Sequence, residues 1–253
     1  MRLALLALVL ARALAGPAAA QPDPPTLTVY AAADLAFAFK EIVPLFEHST
    51  GAKVTLVLGS TGNLAIQIEH GAPADVFFAA DQSFVDGLRT RGVVMPGTES
   101  LYAQGRIVLA TAKKAAVAVR DLADLGKTEV RRVAIANPAH APYGRAAQQA
   151  LEATGLWERL RAKLVYGENI RQTMQFIQTG AVEAGIVALS VADVPEVQYV
   201  PIDPKLHRPL NQMAAVVKRS ARPELGVAFI QFLTGPEGHP VMKRLGFLLP
   251  GEF

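Results

Sequence analysis

The feature that most constrains the fold is an alternation of short apolar strands with amphipathic helices, each pair joined by a turn of small or polar residues. Between residues 27 and 91 the predicted order is strand, helix, strand, helix, strand, helix. This order is typical of a parallel sheet with helices on both faces. The continuous apolarity of residues 76–80 indicates a strand that is covered on both sides. The sequence therefore predicts the α/β class.

A second α/β set begins at residue 130, which predicts two lobes in place of one large sheet. The strand at 107–110 lacks the turn chemistry of the others, so we expect the first crossing there, and the return crossing at 213–217. Lobe I is expected at 27–105 and 218–253, and lobe II at 106–217. Ligands of open α/β sheets bind beyond the carboxyl ends of the strands, so the cleft between the lobes is the predicted site.

The first 20 residues predict a secretory signal peptide. Arg2 precedes an apolar run at 3–10, and the alanines at 18–20 suit a signal peptidase that cleaves after Ala20. The apolar run is shorter than the ~20 residues that a membrane span needs. We therefore expect an exported protein that is not embedded in the membrane.

Composition excludes several classes of site. The chain has no cysteine, which excludes disulfides, thiolate metal sites and cysteine nucleophiles. Its net charge of +3 falls to +1 without Arg2 and Arg12 of the signal peptide, which leaves no electrostatic footprint for nucleic acid. Any anion site must therefore be local.

Four turns share one design, in which a strand end is followed by small or polar residues and a helix start. They lie at residues 33–34, 60–61, 142–144 and 169–170. The first N–H groups of a helix have no partner within the helix, and they favour an anion. The same turns are also compatible with ordinary helix caps, since Asp34, for example, is a residue type preferred at the N-cap.

An enzyme is not expected. The five histidines show no spacing typical of a zinc site, and no nucleophile-elbow or phosphate-loop motif occurs. Ser60 has no evident base in the sequence, and His140 is the only histidine near the predicted cleft. A secreted hydrolase that uses Ser60 or His140 is the remote alternative.

From Leu27 to Phe247 the chain resembles the periplasmic molybdate-binding proteins that serve ABC importers. Its most specific motif is the run Gly-Ala-Pro-Ala-Asp-Val-Phe at 71–77. The other matching segments are 30–35, 67–70, 80–82, 137–142, 185–187, 235–238 and 245–247.

The resemblance implies a two-lobed periplasmic-binding-protein fold of type II, with two hinge crossings and a mainly parallel sheet in each lobe. It implies a periplasmic monomer without a cofactor that binds molybdate or tungstate and passes it to a membrane permease. It also implies that the only metal is the one within the oxyanion. Carried onto this chain, the ligand contacts are the hydroxyl of Thr61, with Ser60 beside it, and the backbone N–H groups of Tyr143 and Ile170.

Two positions depart from the pattern of these proteins. Asp34 stands where a serine is usual, and Ala188 stands where a tyrosine is often found, a loss for which the phenol of Tyr143 could compensate. A carboxylate about 4 Å from an anion costs roughly 4 kcal/mol per unit charge at an effective dielectric constant near 20. Asp34 is therefore a candidate ligand residue with three possible roles: its side chain caps its own helix, it shares a proton with the oxyanion, or it binds a cation together with Tyr143. A different oxyanion, or a metal ion, is the alternative ligand.

Overall fold

The computed structural model describes residues 24–253 and arranges them around two five-stranded sheets. The signal peptide predicted at 1–20 lies outside the described residues. The strands are β1 (Thr26–Ala32), β2 (Lys53–Gly59), β3 (Val76–Ala79), β4 (Ser100–Gly105), β5 (Ile107–Ala112), β6 (Val133–Ala136), β7 (Leu164–Gly167), β8 (Ala184–Ala188), β9 (Val197–Pro201) and β10 (Leu210–Val216). The strand order is β2-β1-β3-β10-β4 in the first sheet and β7-β6-β8-β5-β9 in the second.

Helices flank both sheets. They are α1 (Ala36–Thr50), α2 (Thr61–Glu69), α3 (Gln82–Thr90), α4 (Pro142–Ala153), α5 (Trp157–Leu160), α6 (Ile170–Gln178), α7 (Leu189–Ala192), α8 (Pro223–Leu233) and α9 (Gly238–Arg244). Short 3-10 helices lie at Ala33–Leu35, Ala123–Gly126, Arg161–Lys163 and Pro204–Leu206. Within residues 24–253, no helix combines the length and the apolarity that crossing a bilayer requires.

Each sheet contains one strand that runs against the other four. In the first sheet β10 is antiparallel to both of its neighbours, β3 and β4, and in the second sheet β5 is antiparallel to β8 and β9. The two reversed strands directly follow the two passages of the chain between the sheets: β5 follows β4 of the first sheet, and β10 follows β9 of the second. The other strand pairs, β1 with β2 and β3 and β6 with β7 and β8, are parallel, as expected for the α/β class.

The return crossing lies earlier in the chain than the sequence suggested. Residues 213–217 were expected to be the crossing, and residues up to 217 were placed in lobe II. Instead, β10 pairs with β3 and β4 of the first sheet, so the chain crosses between Pro201 and Leu210. The apolar run of β10 is a central strand of the first sheet, a position that local sequence does not specify.

Aromatic side chains fill the core of the first lobe on the side of α1 and α8. Phe39, Phe78 and Phe229 pack with their rings edge to face at centroid distances of 5.2–5.7 Å. These geometries are favourable for aromatic pairs. Pro44 lies on the exposed face of an uninterrupted α1. Proline has no N–H group to donate to the carbonyl four residues before it, and on this exposed face water can bind that carbonyl instead.

The second lobe packs directly against the first. Ala32, Ala33 and Ala80, which lie at strand ends of the first sheet, belong to the same apolar cluster as the core of the second lobe. Gly144, in the first turn of α4, lets this helix approach the end of β6, since a Cβ atom there would overlap the carbonyl oxygen of Ala136.

We predict that Gly144→Ala lowers the free energy of unfolding by about 1–3 kcal/mol or more, the usual cost of overpacking a tight contact. The matched control is Gly87→Ala in α3, where a Cβ atom would contact only the end of the Arg91 side chain, at 3.4 Å. This control should be neutral or stabilising by about 0.5–1 kcal/mol, since alanine is the better helix former. Urea denaturation measures both changes. Equal stabilities of the two variants would contradict the prediction.

Candidate functional site

One cavity between the lobes brings the four turns together. All five candidate ligand residues line it: Asp34, Ser60, Thr61, Tyr143 and Ile170. The remaining lining residues of this cavity, within the described part of the chain, are alanines, a glycine and a proline, and none is lysine or arginine. A ligand with negative charge would therefore have to be held by hydrogen bonds and not by a countercharge.

The helix starts that face this cavity in the first lobe lack side-chain caps. The N-cap residue of α2 is Ser60, whose hydroxyl makes no capping bond, and the 3-10 helix before α1 starts after Ala32, which cannot cap. In the second lobe α4 starts after Ala141, again without a side-chain cap. First-turn N–H groups at such starts need partners from outside the helix. Together they offer donors to an anion from both lobes.

The start of α6 is capped in a way that spares one amide. The side chain of Asn169 accepts hydrogen bonds from the N–H groups of Arg171 (3.0 Å) and Gln172 (3.1 Å). The N–H group of Ile170, which comes first in the helix and lines the cavity, is not among the donors to this cap. It is the group that the resemblance assigns to the ligand.

The hydroxyl of Thr61 is oriented by a bond that it accepts. Its Oγ1 atom accepts a hydrogen bond from the N–H group of Ala80, at 3.1 Å. Because the oxygen acts as acceptor there, the hydroxyl hydrogen remains available as a donor. Thr61 is buried in the cavity wall, so a ligand oxygen is the partner that this donor would suit.

His140 connects the lobes at Ser60, a contact that the sequence did not reveal. The Oγ atom of Ser60 lies 2.7 Å from Nδ1 of His140, and the N–H group of Gly62 donates to the His140 carbonyl at 2.9 Å. A Cβ atom at Gly62 would lie only 2.7 Å from that carbonyl oxygen, so glycine permits the contact. Nearby, Asn63 of the first lobe donates to Glu168 of the second at 2.5 Å. These bonds hold the two lobes together at the edge of the cavity.

Asp34 lies within the 3-10 helix Ala33–Leu35 and is not its N-cap residue, and its side chain points to partners elsewhere in the chain. Its Oδ2 atom accepts hydrogen bonds from the hydroxyl of Tyr143, at 3.0 Å, and from Nε2 of Gln212, at 2.8 Å. The same Nε2 atom lies 2.8 Å from the Tyr143 hydroxyl oxygen. Since Tyr143 belongs to the second lobe and Gln212 to the first, the carboxyl group forms a bond between the lobes.

Burial dominates the electrostatics of this triad. It raises the pKa of Asp34 from 3.8 to about 6, although the hydrogen bonds from Gln212 and Tyr143 oppose the rise. Burial also raises the pKa of the Tyr143 phenol well above its usual value of 10.0, and the neighbouring Asp34 charge adds to this rise. The phenol is therefore a neutral donor throughout the physiological range.

Gln212 is a residue of this site that the sequence did not single out. It is fully buried in β10, and its Oε1 atom has no hydrogen-bond partner among the described residues. Gly105, the last residue of β4, leaves the space for the triad, because a Cβ atom there would overlap the hydroxyl of Tyr143. The signal that could have identified Gln212 is a long polar side chain within the apolar run 210–217.

The described residues contain no group of three or more histidine, cysteine, aspartate and glutamate side chains that could hold a metal ion. A cation at Asp34 and Tyr143, the third possible role of Asp34, would have a single carboxylate as its charged ligand in this cavity.

Comparison with known families identifies the chain. The family described as bacterial extracellular solute-binding protein matches residues 27–248, which include both sheets. The chain belongs to this family. As a solute-binding protein it has a non-enzymatic role, so the prediction that it is not an enzyme is confirmed.

Individual relatives of this solute-binding protein carry more specific names. The molybdate-binding protein ModA of Rhodobacter capsulatus is 36% identical over 96% of this chain and 94% of that protein. The solved structure of the Azotobacter vinelandii periplasmic molybdate-binding protein is 31% identical, covers 88% of this chain and 99% of that chain, and superimposes with a TM-score of 0.83. A substrate-binding domain of a putative molybdenum ABC transporter from Clostridium difficile is 25% identical, covers 88% of this chain and 98% of that one, and has a TM-score of 0.67.

These similarities confirm the predicted resemblance and the two-lobed periplasmic-binding-protein fold. The contacts of individual residues with a ligand stay predictions.

The raised pKa of Asp34 predicts a specific dependence of stability on pH. The folded protein keeps the proton up to about pH 6, whereas the unfolded chain releases it near 3.8, so stability falls as the pH rises between these values. We expect this loss to total about 3 kcal/mol, at 1.36 kcal/mol per unit of pKa. In Asp34→Asn the loss is absent, so the variant should gain about this amount over the wild type between pH 3.5 and pH 7.

Chemical denaturation of both proteins across this pH range measures the difference. Asp86→Asn, a substitution of a partly exposed carboxylate in α3, serves as the control and should follow the wild type. If the difference in unfolding free energy between Asp34→Asn and the wild type were the same at every pH, folding would not raise the pKa of Asp34, and the prediction would be wrong.

Proposed function

We propose that the protein is a periplasmic receptor that binds molybdate or tungstate between its lobes and delivers the oxyanion to the permease of an ABC importer. The observation that carries the proposal is the interlobe cavity lined by the four turns, in which uncapped helix starts and hydroxyls from both lobes meet without any lysine or arginine among the described residues of the wall. Such a wall supplies several directed donors to a compact anion with several acceptor oxygens.

Four contributions to binding are proposed. Thr61 donates its hydroxyl hydrogen, which its bond from Ala80 leaves free. Tyr143 and Ile170 donate through first-turn N–H groups, and Ser60 contributes from its position between the cavity and His140. Because Thr61 and Ser60 belong to the first lobe and the other two to the second, an anion in the cavity would hold the lobes closed. If the permease binds the closed receptor more tightly than the open one, this closure is coupled to delivery of the ligand.

The descriptions of its relatives support the proposed compartment and transport role of this chain. Of the two solved structures named above, one is described as periplasmic and the other as part of an ABC transporter. The proposed signal peptide at 1–20 would direct this chain out of the cytoplasm. A periplasmic monomer that carries its ligand to a membrane permease needs no cofactor, and we propose this state for the protein.

We predict that molybdate and tungstate raise the thermal stability of the purified protein, while sulfate, phosphate and divalent metal ions at equal concentration do not. A ligand at one hundred times its Kd adds about 2.7 kcal/mol of stability, since only the folded state binds it. Differential scanning fluorimetry of this panel measures the effect. No shift with any oxyanion would refute the proposed function.

A second prediction concerns Thr61. Thr61→Val keeps the shape of the side chain and removes the donor, so the Kd for molybdate should rise by about 10- to 100-fold, the usual range for a hydrogen bond to a charged group. Thr90→Val, at the exposed end of α3, is the matched control and should bind as the wild type does. Isothermal titration calorimetry measures both constants. An unchanged Kd in Thr61→Val would remove this residue from the site.

A further inference from the structure

Asp34 is the only acidic or basic residue among the fully buried polar residues that the structure describes. No lysine, arginine or histidine within residues 24–253 forms an ion pair with the Asp34 carboxyl group. Its neighbours are neutral: the Tyr143 phenol from α4, the Gln212 amide from β10, and the Ser190 hydroxyl from α7, which donates to the Asp34 carbonyl at 3.0 Å. The phenol of Tyr102 in β4 is the other titratable group that is affected by its charge.

The carboxyl group has one oxygen engaged and one without a partner. Oδ2 accepts from both Tyr143 and Gln212, while Oδ1 is buried and makes no hydrogen bond with the described residues. An acceptor in this position lacks a donor, whereas a carboxyl group that carries a hydrogen would itself be a donor. The residue lines the cavity that the proposed function assigns to an anion.

An ionised Asp34 and an anion in this cavity are in conflict for two reasons. Like charges repel strongly where water is excluded. The carboxylate also engages the Tyr143 hydroxyl, which is a donor that the anion would otherwise use. The conflict disappears when Asp34 is neutral, because its O–H group can then donate to an anion oxygen.

We propose that Asp34 makes anion capture proton-coupled, so that the cleft takes up one proton from solvent together with each oxyanion and holds this proton on the Asp34 carboxyl group. The inference rests on the proposed function and adds to it a mode of regulation. Only the proton changes place: it leaves water or buffer and adds to a carboxylate oxygen. The raised pKa of Asp34 is consistent with this role, since burial already favours the neutral form.

The coupling gives Asp34 control over specificity as well as over pH dependence. A fully ionised anion such as molybdate needs a proton from solvent, while an anion that carries its own hydrogen, such as hydrogen phosphate, could satisfy the carboxylate without one. Proton uptake and ligand preference together therefore separate a neutral Asp34 that donates from a charged Asp34 that accepts.

The test is calorimetric titration of the whole mature protein with sodium molybdate at pH 7.5, in buffers with different enthalpies of ionisation. The wild type should take up about one proton per anion, because a group of pKa about 6 is almost fully ionised at this pH before binding. Its Kd should rise about tenfold per pH unit between pH 7 and pH 9. Asp34→Asn should bind with no proton uptake, a flat pH profile and a lower Kd than the wild type at pH 8.

Two further variants keep the result interpretable. Asp34→Ser removes the carboxyl group in a different way and should also abolish the uptake, whereas Asp86→Asn on the surface of α3 should keep it. His140→Gln removes the imidazole that lies against Ser60 at the edge of the cavity, and uptake that disappears in this variant but persists in Asp34→Asn would overturn the inference.

Binding of molybdate by the wild type without proton uptake would also overturn it and leave the proposed function intact. Preference for phosphate over molybdate without uptake would show that Asp34 accepts a hydrogen from the ligand, which contradicts both proposals in their present form. Failure of wild type and Asp34→Asn alike to bind any oxyanion would overturn the function itself.

Discussion

Unpaired amides at the starts of helices are the constraint on which this structure depends. A helix leaves its first N–H groups without partners, and a buried polar group without a partner costs free energy. In an α/β lobe these helix starts lie at the carboxyl ends of the strands, and here the two lobes place those ends face to face. The cavity between them is therefore rich in donors before any side chain is considered. The other side chains at the turns that line it are small or uncharged, and Asp34 supplies the one carboxyl group among the described lining residues.

The two reversed strands explain how remote parts of the chain meet at this cavity. β5 and β10 follow the passages between the lobes, and each is inserted as an inner strand that is antiparallel to both of its neighbours. The first passage places Gly105 against the Tyr143 hydroxyl, and the second carries Gln212 to Asp34. The segments that join the lobes thus also supply parts of the buried contact between them. A motion that separates the lobes would have to break the bond between Tyr143 and Asp34.

Local patterns predicted much of this arrangement because they act over a few residues. The strand–turn–helix units at 33–34, 60–61, 142–144 and 169–170 were recognisable from apolar periodicity and turn residues. The helices α2, α4 and α6 begin within the last three of these turns. The α/β class follows from the same alternation. What local patterns could not predict is a partner that is distant in the chain. Asp34 has a strong local preference for the N-cap, but Tyr143 and Gln212, 109 and 178 residues away, engage its carboxyl group.

The same limit explains the misplaced return crossing, the missed role of Gln212 and the missed contact between His140 and Ser60. A run such as that of β10 is equally suited to a strand in either sheet, and only its pairing with β3 and β4 decides between them. His140 looked like an isolated histidine because its partner Ser60 lies 80 residues earlier, in the other lobe. In each case the deciding interaction forms between the lobes, where the sequence carries no periodic signal.

The behaviour of Asp34 also shows which property of the helix starts matters for an anion. The field of a helix terminus stabilises a negative charge by about 0.3–1 kcal/mol at exposed sites. The pKa of Asp34 nevertheless rises to about 6, which corresponds to a net penalty of about 3 kcal/mol for its charged form. Burial therefore outweighs the helix field at this position. An oxyanion in the same cavity would also lose its hydration, so direct hydrogen bonds from amides and hydroxyls, and not the helix dipoles alone, must offset this cost. This is why the number of free donors around the cavity, and the protonation of the one carboxyl group among them, decide whether an anion can be held.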